Sequence, residues 1–213
     1  MVPPKFIHIS LIFCCTLILV LAMAAGDGGC WSTATTESKG TGLSLPVTFK
    51  FGLTQYAVVV GSLKQTNSYA SQLTSSSDPA IKMDFDDIIS GGHWTGACLA
   101  IATILLAMGL GVHVCIYPFN VAERVHKYGF PLVLASGFFF MLAVVFWAAL
   151  GHAAAEHIAV NRYPEIVPSL SYGWGFDTGV VCCLFILAAV VLSLRATKLG
   201  QAQTPADYTT PDL

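Results

Sequence analysis

The sequence predicts a membrane all-α fold: a bundle of four transmembrane helices, with a small extracellular β-sheet and one short helix in the first outer loop. Three observations predict it. Of 213 residues, 55% are apolar and only 10% charged, where a soluble domain carries about 25% charged residues; mean hydropathy is +0.70. Four segments long enough to cross a bilayer contain a single Asp, Glu, Lys or Arg between them, Asp177. One stretch outside those segments alternates with period two, as a half-buried strand does. The net charge of −2 with no basic cluster gives no signal for nucleic-acid binding.

Residues 1–5 read as a cytosolic tail and Phe6–Ala24 as the first span, since about 20 apolar residues cross the hydrocarbon core as a helix. Two readings of this segment stay open. Lys5, the apolar run and Ala22-Met23-Ala24 also fit a secretory signal peptide, whose removal would leave three spans of unknown role. The run is longer than the usual signal core, which favours a retained helix.

Ala25–Trp94 is the first outer loop. Val47, Phe49, Phe51 and Leu53 alternate with Thr48, Lys50, Gly52 and Thr54, and Tyr56, Val58 and Val60 extend the β-rich content. Gln65–Ser77 reads as exposed hairpins or loop. Ser77-Asp78-Pro79 is an N-cap with proline in the first turn. Ile81, Phe85, Ile88 and Ile89 follow at helical spacing, and Ser90-Gly91-Gly92 reads as a stop, giving a helix over 79–90.

Thr95–Tyr117 is the second span, Pro118–Gly129 an inner loop, and Phe130–Gly151 the third span, with helix expected to continue through Ala153–His157. His152–Tyr172 is a second outer loop, Gly173–Leu194 the fourth span, and 195–213 a disordered tail. Arg124, Lys127, Arg195 and Lys198 flank the same side as Lys5, so the positive-inside rule places both termini in the cytosol of a plasma-membrane protein. Trp31, Trp94 and Trp174 fall at outer helix ends, as an aromatic belt would.

Local motifs add to this plan. Trp31 follows the first span; Leu134-Ala135-Ser136-Gly137 and Phe140-Met141-Leu142-Ala143 lie in the third; Tyr172-Gly173-Trp174-Gly175-Phe176 opens the fourth. In these residues and in the order of its parts the chain resembles the claudin superfamily: claudins, peripheral myelin protein and its epithelial relatives, and calcium-channel gamma subunits with their AMPA-receptor regulatory cousins. The family's first loop carries Gly-Leu-Trp and a pair of bridged cysteines. Here Gly52-Leu53 precede Thr54, and Cys30 is the loop's one cysteine, so the chain resembles a divergent branch. The resemblance implies cell–cell adhesion or barrier formation through the outer loops, or alternatively an auxiliary subunit modulating a channel or receptor in the same membrane. Partners would be membrane lipids and other membrane proteins, including copies of itself.

The residues expected to carry structure or interaction are Trp31, Phe49, Phe51, Gly52, Leu53, Phe85, Trp174 and Asp177. Asp177 is expected to pair with His93 or His152, because an acid inside a span is costly without a partner; a polar groove or contact with water are the alternatives. Cys30 either bridges Cys98 or stays free or intermolecular, and Cys115 is a palmitoylation candidate. His93, His152, Glu156 and His157 read as polar helix ends rather than metal ligands, because i, i+4, i+5 spacing does not share one face. Asp84, Asp86 and Asp87 read as a solvated acidic edge, with a docking edge for a basic partner or calcium as the alternative. No serine–base or carboxylate–histidine pattern stands out in the sequence, so no enzyme and no cofactor are expected. With no disulfide in the outer sheet, Val47, Phe49, Phe51 and Leu53 are expected to pack on Ile81, Phe85 and Ile88 instead, each buried side chain contributing about 1.5–3 kcal/mol.

Overall fold

A computed structural model of the chain describes residues 12–18, 20–21, 29–40, 43–119, 122–162 and 169–202. Residues 12–18 and 20–21 are helical. The rest of the first expected span, the signal-peptide alternative and the last eleven residues of the tail lie outside the described residues.

Five strands form one antiparallel sheet in the order β4-β3-β2-β1-β5: β1 (Ser32–Gly40), β2 (Leu43–Phe51), β3 (Gln55–Val60), β4 (Leu63–Ser68) and β5 (Ser169–Tyr172). The alternation in β2 turns Phe49 and Phe51 inward and leaves Lys50 exposed. The β3–β4 hairpin pairs Val60 with Leu63 across two residues, Gly61 and Ser62. Gly61 takes φ +58°, which such tight hairpins demand and glycine supplies without strain. Of the stretch from Gln65, expected as exposed hairpins or loop, residues 65–68 are the exposed arm of this hairpin, while Tyr69–Ser75 forms a helix, α1, that was not expected. The fifth strand comes from the second outer loop and pairs with β1, Ser32 opposite Tyr172.

Three long helical stretches complete the fold. Helix α2 runs unbroken from Pro79 to Phe119. Its 41 residues span about 62 Å at 1.5 Å per residue, twice the hydrocarbon core of a bilayer. The expected stop at Ser90-Gly91-Gly92 is therefore corrected: short outer helix and second span are one rod. The glycines serve close packing here. A Cβ on Gly91 would lie 2.7 Å from the Gly151 backbone nitrogen, and one on Gly92 would collide with the Leu53 carbonyl.

Helix α3 (Ala122–Phe146) continues into a π-helical segment (Trp147–His152) and then α4 (Ala153–Arg162), so helix does persist through Ala153–His157. Most of the expected inner loop Pro118–Gly129 is helical, with 120–121 undescribed. Helix α5 (Trp174–Ala202) likewise extends past the expected span end, and residues 195–202 of the supposed disordered tail are helical. Among the described residues, three helices are long and apolar enough to cross a membrane: Pro79–Val114, Gly129–Ala159 and Trp174–Leu192, at mean hydropathies of 2.2, 2.3 and 2.3.

The outer core joins both kinds of element. Phe49, Phe51 and Tyr56 of the sheet pack with Tyr69 of α1, Phe85 and Ile88 of α2 and Ile158 of α4. Phe51 stacks on Tyr56 at 6.1 Å between ring centroids and Tyr56 on Tyr69 at 5.8 Å. The residues expected to pack on one another do share one core, but the aromatic contacts to Phe85 come from Tyr56 of β3 and Tyr69 of α1, each at 6.4 Å between ring centroids.

Candidate functional site at the junction of sheet and helices

The densest polar chemistry lies where β1 and β5 meet the helix ends. Trp31 is fully buried, its ring 5.8 Å from Trp147 and edge-on to Phe176 at 6.4 Å. This corrects its assignment to an aromatic belt; Trp94 and Trp174, at 56% and 49% exposed, fit that role. Its backbone is held on both sides, Trp31 N–H donating to the Phe51 carbonyl at 2.7 Å and Gly173 N–H to the Trp31 carbonyl at 3.0 Å. Gly175 N–H donates to the Cys30 carbonyl at 2.8 Å. Gly173 packs so closely on Cys30 that a Cβ would collide with the Cys30 carbonyl. The aromatic-glycine opening of α5 therefore clamps the start of β1.

Trp147 sits in the first turn of the π-helical segment, and His152 ends that segment. The Trp147 indole N–H donates to Ser32 Oγ at 2.9 Å, and Ser32 Oγ lies 2.9 Å from His152 Nδ1. An indole can only donate. One Ser32 lone pair is thereby used, leaving the hydroxyl proton for neutral His152, or the second lone pair for an Nδ1–H. The imidazole stacks on Tyr172 of β5 at 4.1 Å, and Tyr172 on Phe176 of α5 at 3.9 Å. A serine–histidine contact was not expected from the sequence. Ser32 is fully buried and already accepts the Trp147 N–H, so the pair ties strand to helix rather than facing a substrate.

The other expected residues fall around this junction. Gly52 accepts the Tyr69 hydroxyl on its carbonyl at 3.0 Å, and its N–H donates to Gln55 at 2.9 Å, closing the β2–β3 turn. Leu53 is half-buried over Gly92. Phe85 is fully buried. Asp177 stands exposed in the first turn of α5, with no side-chain bond to His93 or His152 among the described residues; the expected pairing is corrected. The first turn is where a helix dipole favours an acid, so the carboxylate needs no histidine. Cys30 and Cys98 are both buried free thiols, so that bridge does not form; the Cys30 thiol donates to the Ser32 carbonyl at 3.2 Å instead. Burial pushes the Cys30 thiol above its ordinary value and the Tyr69 phenol well above its own. The Cys115 side chain lies outside those described.

Of the outer acids, Asp84 faces His157 at 3.6 Å, joining α2 to α4, while Asp86 and Asp87 are exposed. Among the described residues, no three His, Cys, Asp or Glu side chains converge as metal ligands would. The Ser32–Trp147–His152 tie left one readable trace in the sequence: a tryptophan inside an apolar span must find an acceptor for its N–H.

No family model matches the chain, and no curated protein matches it. The class this architecture defines is a multi-pass membrane protein: membrane-length helices carrying a folded five-stranded sheet at one end.

Proposed function

We propose that the chain is a claudin-like membrane protein of the cell surface, acting in cell–cell adhesion or barrier formation by joining copies of itself through its outer sheet. The observation that carries this reading is strand β4, an edge strand whose six residues are almost all exposed, Leu63 by 75%. An edge presents unpaired N–H and C=O groups to any strand that approaches. Because Val60 and Leu63 flank a two-residue turn, they form a hydrogen-bonded pair, so Leu63, Gln65 and Asn67 bond inward to β3. Lys64, Thr66 and Ser68 then offer their backbone outward. No proline interrupts this edge, and Lys64 is its one charged residue. Support also comes from the resemblance to claudins in the order of parts: strands in a large first loop, a helix leading into the next span, and a short second loop.

Expression in cells without adhesion of their own tests the reading. The protein is expected to concentrate at contacts between expressing cells and to make them aggregate. Thr66→Pro, which removes an outward N–H and no bond to β3, is expected to abolish aggregation at unchanged surface level. Even distribution over the surface, with co-purification of a channel or receptor subunit, would overturn it in favour of the auxiliary-subunit reading.

A further inference from the structure

The inner face of the outer sheet changes character across its width. Strand pairing lines up two rows of side chains on it: Ala34, Phe49, Val58 and Gln65 in one, Ser32, Phe51, Tyr56 and Asn67 in the other. Toward β1 both rows are buried. At β4 both end in a carboxamide, Asn67 half-buried and Gln65 exposed. Between these ends and α4 lies a cavity of about 310 Å³. Phe49 and Val58 line it from the sheet and Ile158 and Ala159 from α4, while Gln72 of α1 adds a third carboxamide. The volume is at the lower end of the 300–1,000 Å³ typical of small-molecule sites, room for one ring rather than a chain.

The lining selects the chemistry of what can enter. Among the described residues it includes no Asp, Glu, Lys, Arg or His, so a phosphate, carboxylate or ammonium would lose water there without a counter-charge. Each carboxamide brings two N–H donors and an acceptor oxygen. Gln65 Nε2 donates to Asn67 Oδ1 at 3.5 Å, and neither side chain makes a second bond among the described residues, so most of their capacity is unspent. Hydroxyls on adjacent carbons answer such a mixture, because each both donates and accepts. Phe49, Val58 and Ile158 call for C–H surface on the ligand's other side. A nucleobase would instead want an open aromatic face to stack on, and the Phe51, Tyr56 and Tyr69 rings are already stacked on one another.

We propose that this cavity binds one neutral hexopyranose unit, its hydroxyls bonded by Gln65, Asn67 and Gln72 and its C–H surface set against Phe49, Val58 and Ile158. The same unit exists as a free sugar and as the uncharged end of a glycan, and the experiment below separates the two sources. The site uses β4 side chains on the inner face of the sheet and none of the outward backbone, so it stands apart from the adhesion reading.

The test uses the full-length protein in phosphatidylcholine nanodiscs, which keep sugar-headed detergents away from the site. Saturation-transfer NMR with the methyl glycosides of glucose, galactose and mannose reads the free sugar, and an array of glycans with neutral, sialylated or sulfated ends reads the attached one. At least one glycoside is expected to bind. Binding of a glycoside without array signal assigns the free sugar; array signal confined to neutral ends and removed by that glycoside assigns the glycan. Asn67→Ala and Gln65→Ala should each weaken binding by about two- to tenfold, the net worth of one hydrogen bond. Ala159→Phe, which fills the cavity, is expected to abolish it; if that variant does not fold, the two alanine variants decide. The proposal is overturned if no glycoside binds, if acidic glycan ends bind as strongly as neutral ones, or if array signal resists the free glycoside. It is overturned too if adenosine binds in preference to every glycoside, or if neither alanine variant weakens binding.

Discussion

The two ends of the outer sheet are built from opposite materials. At the β1–β5 end, Trp31, Ser32 and Ala34 are buried, and the Trp31 and Cys30 carbonyls are held by the N–H groups of Gly173 and Gly175 at the start of α5, with β5 a short edge of four residues. At the β4 end, polar side chains face solvent and one backbone edge is open. The contrast teaches that the sheet is held to the helices by backbone bonds at β1 and by the aromatic layer under β2 and β3, while β4 itself stays solvated. Stability is concentrated where the sheet meets the helices, and β4, exposed at nearly every position, adds little.

Breaking the anchored end should have the largest effect. Trp31→Ala removes an aromatic shared by strand, π segment and α5, and is expected to cost about 3–5 kcal/mol, read as a large fall in melting temperature of the solubilised protein. Ser32→Ala is next: it strands the Trp147 N–H in a buried site, at about 1–3 kcal/mol. Combined with Trp147→Phe the two losses should fall short of additive by at least about 0.5 kcal/mol. Purely additive losses would mean the hydrogen bond is idle.

Alkali sharpens the comparison with a smaller, graded effect. Cys30 and Tyr69 both have folded values raised by burial above the ordinary 9.0 and 10.0. Their neutral forms are the ones folding favours. Their contribution is thus fully present below about pH 9 and is lost as pH rises through the ordinary values toward the raised ones. Tryptophan fluorescence of the folded protein should hold from neutral pH to about pH 9 and change above it. In the same experiment a reductant should change nothing, since Cys30 and Cys98 are free. The smallest effect belongs to the free end: Gln65→Ala or Lys64→Ala should alter melting by no more than about 0.5 kcal/mol, whatever it does to aggregation between cells.

The sequence made some of this legible and hid the rest for physical reasons. Period-two alternation revealed β2 because one of its faces is buried and the other wet. Three apolar runs of membrane length, with Asp177 their single charged residue, revealed α2, α3 and α5 for an equally simple reason. Gly91-Gly92 was misleading because glycine ends helices and also lets them approach closely; only the positions of Gly151 and Leu53 decide between those uses. Strand β5 has just four residues, and its identity depends on pairing with Ser32–Thr35, far away in the chain. The Ser32–Trp147–His152 tie joins residues 115 and 120 positions apart, beyond the reach of any local pattern. The expected pairing of Asp177 set the cost of an acid against mid-membrane depth, whereas Asp177 stands exposed in the first turn of α5.

The π-helical segment fixes more than two hydrogen-bonding side chains. A helix that widens for one turn absorbs an extra residue, so every position after His152 is rotated in phase relative to an uninterrupted α-helix. One residue corresponds to about 100°. Deleting Ala149 would therefore swing Ile158 from under the sheet and turn His157 away from Asp84, without touching either contact directly. The angle at which α4 meets the sheet is set by a single count of residues along this helical stretch.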